Sequence, residues 1–265
     1  MRDKRILFHI GIAKTGTKFL QHKIFPKVVN AHYIKSCHYK KCFKLIDTNL
    51  SKNILLSREF DRQLKDELLL FSKKNYNVQI IMVLRRHEEY IASQYRRFIK
   101  NGYRFEFEDF IDLKDNQGFF KKEHLLFYDQ IKFIEKTFGK PPIVLNYDTL
   151  KKHPDEFLLN LLNKTGLVLE SDKISFKRRH SSYDENQLIF IKRVCRFINL
   201  RKRRIFDNSV CHFCHNLINA GLRYGLLFIG SLTKANSSLI DDEQLNKIRD
   251  FYKDDWEKAM QYTQQ

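Results

Sequence analysis

No stretch of about 18 consecutive apolar residues occurs in this chain of 265, so it offers no candidate transmembrane helix. The N-terminal run in MRDKRILFHIGIAK is too short for a secretory leader and lacks a small-residue cleavage site. It reads as a first buried strand, and a cytoplasmic protein is expected. Cysteine is sparse and odd in number (Cys37, Cys42, Cys195, Cys211, Cys214), which argues against a disulfide framework. CHFCH imitates a covalent haem attachment site and CHYKKC adds two thiols, but a zinc site needs four ligands converging from these separated segments. Packing as small reduced hydrophobes is the simpler reading. Internal repeats, low-complexity tracts and Pro/Gly-rich linkers are missing as well. Acid is in deficit: 31 Asp and Glu face 49 Lys and Arg, a net charge of +18. That implies an anionic partner without choosing among nucleic acid, acidic polysaccharide, phosphorylated nucleotide and anionic membrane. What the chain does have is apolar content, 43%, enough for a sizeable core.

Apolar runs and helical patterns alternate over the first two thirds. Residues 5–10 (RILFHI) form a strand ended by Gly11, with a helical pattern from Thr17 to about Val29. A second run at 53–57 (NILLS) leads into REF and a charged helix over 61–74. VQIIMVL at 78–84 is the clearest strand, a nearly continuous apolar run as expected for a parallel strand buried on both faces. It ends at Arg85-Arg86, and a helix over 88–100 follows. Mixed-charge helices fill 106–138, broken near DNQG, and PIVLNYD at 142–148 is a further strand. In HPDEFLLNLLNKTGL, Pro154 suits the first helical turn and Gly166 the C-terminal cap. Such alternation predicts an α/β fold with a parallel sheet and helical crossovers. From about 184 the chain turns to basic amphipathic helices. The economical reading is one domain over 1–265, with an α/β core at 1–183 and a helical, basic C-terminal part at 184–265.

Chemistry concentrates in RILFHIGIAKTGTKFLQ. Gly11 and Gly16 are spaced as in a phosphate-binding P-loop, whose backbone N–H groups turn toward an anion at a helix N-terminus. An ATP-binding loop, however, places lysine directly after the second glycine. Here Thr17 follows Gly16, Lys18 comes next, and the other lysine, Lys14, lies inside the loop. A magnesium-holding acid is also missing, since the strand at 78–84 ends in two arginines. Magnesium-dependent nucleotide hydrolysis is therefore disfavoured, as is a P-loop kinase.

HIGIAKTGTKFLQ resembles the 5′-phosphosulfate loop of sulfotransferases that use 3′-phosphoadenosine 5′-phosphosulfate (PAPS), and is most similar to that of bacterial carbohydrate sulfotransferases. The resemblance implies a P-loop-type three-layer fold, a central parallel sheet flanked by helices. It also implies PAPS binding through Gly11, Ala13, Lys14, Thr15, Gly16, Thr17 and Lys18, without a metal. Lys18 departs from the family, which usually has Thr or Ser there; the Thr17 hydroxyl can still serve the 5′-phosphate. In the family a strand-end arginine and a serine eight residues on bind the 3′-phosphate, and VLRRHEEYIASQY offers Arg85 and Ser93, with Arg86 as a substitute. IVLNYDTLKKHPDEF is similar to a strand and turn of the family, with Asp148 at its acidic position. FKRRHSSYDENQLIFI falls where a basic loop covers the cofactor, which makes Arg178, Arg179 and Ser181 candidates beside a reading as plain surface charge.

Sulfuryl transfer depends on in-line positioning and on charge stabilisation at the leaving phosphate. The resemblance gives Lys14 the bridging oxygen and points to Glu59, in ILLSREF, as the base for an acceptor hydroxyl. The bland alternative makes Glu59 a helix N-terminal carboxylate with Ser57 as cap. His9 reads as a loop brace, with His87 and His180 as lesser candidates for the base. The implied acceptor is a glycan, a bacterial surface glycan or its precursor, with a lipid or small-molecule hydroxyl as the alternative. Segment 192–229 has two readings, a face resting on an anionic membrane or a solvated helix pair with one core face, the latter favoured. A non-catalytic nucleic-acid-binding protein is the rival from another class, supported by charge but by no recognised motif.

Overall fold

The computed structural model describes residues 4–60, 63–74, 76–170, 174–176, 183–201, 207–234 and 238–264. Its strands are β1 (Arg5–Ile12), β2 (His32–Ile34), β3 (Asn53–Phe60), β4 (Asn77–Leu84) and β5 (Ile143–Asn146). They form one sheet in the order β2-β3-β1-β4-β5, every pair parallel. Leu7, Leu55, Ile81, Val83 and Leu145 share one core with Leu20, Phe25, Phe157 and Leu161. Phe8, one residue along β1, packs instead against Tyr39, Phe60 and Phe71. Side chains on a strand alternate between faces, so the sheet is covered on both. That double cover is why its central strands read as nearly continuous apolar runs.

The helical segments begin with α1 (Thr17–Phe19), which continues through a wider turn at Leu20–Ile24 and a tighter one at Phe25–Lys27. Then come α2 (Cys42–Thr48), α3 (Leu64–Ser72), α4 (His87–Lys100), α5 (Phe107–Phe110), α6 (Phe127–Phe138), α7 (Tyr147–Lys152) and α8 (Pro154–Thr165). The C-terminal part holds α9 (Glu185–Val194), α10 (Ser209–Ser231), α11 (Asp242–Phe251) and α12 (Lys253–Gln261). The chain divides into two compact units interleaved in sequence. One comprises Met1–His87, His124–Lys177 and Tyr252–Gln265, and the other Glu88–Glu123 and Arg178–Phe251. The first holds the sheet. The second is built around an aromatic nucleus in which Phe98 and Phe110 pack with each other and with Phe119 and Phe120.

Local chemistry explains where elements stop. α8 starts on Pro154 and ends at Gly166, whose φ of 68° is the left-handed value that glycine adopts most easily. The strand expected through 148 ends at Asn146 instead: its side chain accepts the Asp148 N–H at 2.9 Å and starts α7. Near DNQG the Asp112 carboxylate accepts backbone N–H groups of Lys114, Asp115 and Gln117, which closes a turn no helix can continue through. Cys42 and Cys195 are buried as small hydrophobes, whereas Cys37, Cys211 and Cys214 are exposed.

The N-terminus of α6 is capped from a distance. Asp255, on α12, accepts the N–H groups of Phe127 and Tyr128 at 2.9 and 3.1 Å, and one of its oxygens lies 3.1 Å from His87 Nε2. Replacing it by alanine orphans two helix donors in a buried setting. We expect Asp255→Ala to destabilise the first unit by about 2 kcal/mol, read as a lower urea midpoint of unfolding.

Candidate active site

β1 lies at the centre of the sheet, and the chain builds outward from it on both sides, to β3 and β2 and then to β4 and β5. In open parallel sheets ligands bind beyond the carboxyl ends of the strands where that order reverses, which is where the loop after β1 emerges. The loop has an unusual backbone. Lys14 holds φ at 70° and Gly16 at 83°. Left-handed residues interspersed with right-handed ones turn N–H groups toward a common side, the geometry of an anion nest. Gly16 suits its position, but a lysine at φ 70° is strained by about 1–2 kcal/mol.

Side chains hold the loop in this shape. Thr15 and Thr17, both buried, donate to the Ile12 carbonyl at 2.6 and 3.3 Å. Any engagement of an anion by the Thr17 hydroxyl means exchanging that bond. Gly11 must lack a Cβ, which would sit 2.6 Å from the Thr17 side chain. Ala13 is buried under the loop, while Lys14 and Lys18 are exposed.

Arg85 leaves the carboxyl end of β4 and comes back to the loop: its Nη1 donates to the Lys14 carbonyl at 3.3 Å. Its guanidinium also stacks 4.8 Å over the Tyr147 ring, just beyond β5. Three adjacent strand ends thus converge on one loop. Tyr147 was not singled out from sequence, although its place directly after a strand in NYD was a usable signal. Arg86 points elsewhere, to Asp148 at 3.4 Å and over Trp256 at 5.4 Å.

Glu59 lies in β3, in register with Gly11 of β1. It is exposed, and alternation along the strand sets it on the sheet face of Ser57. Ser57 does not cap a helix carrying Glu59. β3 runs through Phe60, α3 starts only at Leu64, and Ser57 is a buried strand residue. Ser57 Oγ lies 2.8 Å from His9 Nδ1 and accepts from Gln21 Nε2 at 3.0 Å. That network ties β1, β3 and the helical turn after the loop together, and gives a structural place to Gln21, the last residue of HIGIAKTGTKFLQ.

The histidines have structural surroundings. His9 is fully buried, and burial lowers its pKa from 6.5 to about 3. Nε2 has no hydrogen-bond partner, which fits a neutral ring that donates through Nδ1 and leaves Nε2 as a bare lone pair. The unfolded chain binds a proton here below pH 6.5, and the folded chain does not until about pH 3. Stability therefore falls with acidification across that window by up to about 1.4 kcal/mol per pH unit, and is complete above it. Melting temperatures of His9→Asn and the unaltered chain, compared between neutral and mildly acidic pH, should show the variant losing less. His87 is 1% exposed, stacked between Phe127 and Tyr252 with ring centroids at 4.3 and 4.4 Å, and donates to the Leu125 carbonyl at 2.9 Å. An acceptor hydroxyl has no path to its ring.

Ser93 lies two turns into α4, in the second unit, half-buried. Arg178, Arg179, His180 and Ser181 lie outside the described residues. Among the described residues no group of three or more His, Cys, Asp or Glu gathers as metal ligands.

No protein-family model matches the chain, and no curated protein does. Among solved structures it is similar to a sulfotransferase from Alicyclobacillus acidocaldarius, with a TM-score of 0.50 and 13% sequence identity over 68% of this chain and 87% of that one. At that identity the likeness speaks for architecture. The chain has the sulfotransferase P-loop-like α/β fold, an all-parallel five-stranded sheet flanked by helices with a C-terminal helical region.

Proposed function

We propose that this protein is a PAPS-dependent sulfotransferase that sulfates a hydroxyl of a carbohydrate, a bacterial surface glycan or its precursor, in the cytoplasm and without a metal. The observation that carries the reading is Lys14. It occupies a left-handed position that glycine would fill more easily, inside a glycine loop at the central strand end, with Arg85 bonded to its carbonyl. Strain of this kind concentrates at functional sites. Gly11 and Gly16 are needed for the loop to pack on the protein itself, since a Cβ would meet Thr17 at the first and Leu150 at the second.

PAPS would supply an activated sulfuryl group on a good leaving phosphate. With that donor bound, Lys14 and the N–H groups of residues 13–17 would stabilise the negative charge left on the departing 5′-phosphate. Glu59 takes the proton of the acceptor hydroxyl as its oxygen bonds to sulfur. The products are a sulfate ester and adenosine 3′,5′-bisphosphate. Arg85 receives the 3′-phosphate, and Ser93, Arg178, Arg179 and Ser181 are carried as donor-binding residues by the family resemblance alone. The basic surface serves these anions rather than nucleic acid.

Calorimetry without magnesium tests the assignment. Adenosine 3′,5′-bisphosphate should bind at least about tenfold more tightly than ATP, a difference of about 1.4 kcal/mol. Equal affinity, or none for either, overturns it.

A further inference from the structure

We propose that the outer face of α10 docks on an anionic phospholipid bilayer. This goes beyond the reaction assigned above and stands without it. α10 is built inside out. Its inward side is polar: His212 and His215 pair with Asn216 and Asn219 at 2.9 and 2.8 Å, and Arg223, 6% exposed, donates to the Leu200 carbonyl at 3.0 Å. That side closes on α9, where Gln187 donates to the Leu227 carbonyl at 3.1 Å and Gly230 has no room for a Cβ.

The outward side is apolar. Phe213, Leu217 and Phe228 are 67%, 63% and 68% exposed, with Ile218, Leu222 and Leu232 also open to solvent. At about 100° per residue these six fall within one half of the helix circumference. That half carries no charged side chain, since Arg223 is the only Lys, Arg, Asp or Glu in the helix. Phe197, 89% exposed just after α9, extends the apolar surface. The helix has 23 residues, about 35 Å of length. Among the described residues no helix is long and apolar enough to cross a membrane. An exposed apolar face on such a helix is suited to lie in the interface plane.

Charge selects the occupant. Residues 186–240 carry nine Lys or Arg against one acid, Asp207, a net +8 with His neutral. Pairing α10 with α10 of a second copy brings two such segments together, which like-charge repulsion opposes. A bilayer surface rich in anionic headgroups attracts both the apolar face and its basic flanks.

The test is co-sedimentation of the full chain with vesicles of phosphatidylcholine containing about a third phosphatidylglycerol, and with pure phosphatidylcholine vesicles. We expect at least about tenfold stronger partitioning to the anionic vesicles, weakened by added salt. The double variant Leu217→Glu, Phe228→Glu should lose it while keeping its melting temperature, because both side chains are exposed. Three results overturn the proposal. They are no preference for anionic vesicles, undiminished binding by the folded double variant, or a dimer in sedimentation velocity that the variant abolishes with no vesicle binding. Bisphosphate calorimetry on the same variant reads the nucleotide site separately.

Discussion

Lys14→Ala should lower kcat for sulfuryl transfer by about 10²–10³-fold, the usual loss when one preorganised charge-stabilising group is removed. Affinity for adenosine 3′,5′-bisphosphate should hold within about tenfold, because the loop N–H groups and Arg85 are untouched. Alanine keeps the backbone demand of the position, since it too is strained at φ 70°. Glycine does not. Lys14→Gly should therefore raise stability by about 1 kcal/mol while transfer is lost to the same degree. Only a functional lysine gives that opposition of stability and activity. Full activity in Lys14→Ala would remove the residue from the mechanism.

Glu59→Gln should cost about 10²–10⁴-fold in kcat, the range for loss of a general base, with little change in KM for the acceptor. The amide keeps the shape of the side chain but cannot take a proton. Folding should be indifferent, because Glu59 is exposed at a strand end and caps no helix. A variant with unchanged kcat would move the base elsewhere.

Much of the scaffold was legible in the sequence because its signals are local. β1 and β4 announce themselves as nearly continuous apolar runs, and α8 by its proline start and glycine stop. β2 escaped because it is three residues long at the sheet edge, with only Ile34 buried, and offers no period to detect. The strand expected over 142–148 overruns the end of β5 by two residues because the stop lies in an Asn146 side-chain bond rather than in hydropathy. In the site, the glycine spacing and the displaced lysine were visible, but the strain at Lys14 was not, since φ belongs to the folded loop.

The sequence by itself determined an α/β alternation, a phosphate-type loop whose lysine had moved inward, and a strongly basic chain. These follow from spacing and composition, which local physics can read. Only the tertiary structure decided which distant residues meet. Parallel register put Glu59 level with Gly11, the carboxyl edge of the sheet let Arg85 reach the Lys14 carbonyl, and Ser57 went to His9 and Gln21 instead of a helix cap. It also decided the orientation of α10. A helix with apolar residues on one side and His, Asn and Arg on the other looks like any amphipathic helix. Which side faces the protein depends on the partners across the packing interface, and here Arg223 finds the Leu200 carbonyl while His212 and His215 pair with Asn216 and Asn219 along the helix itself.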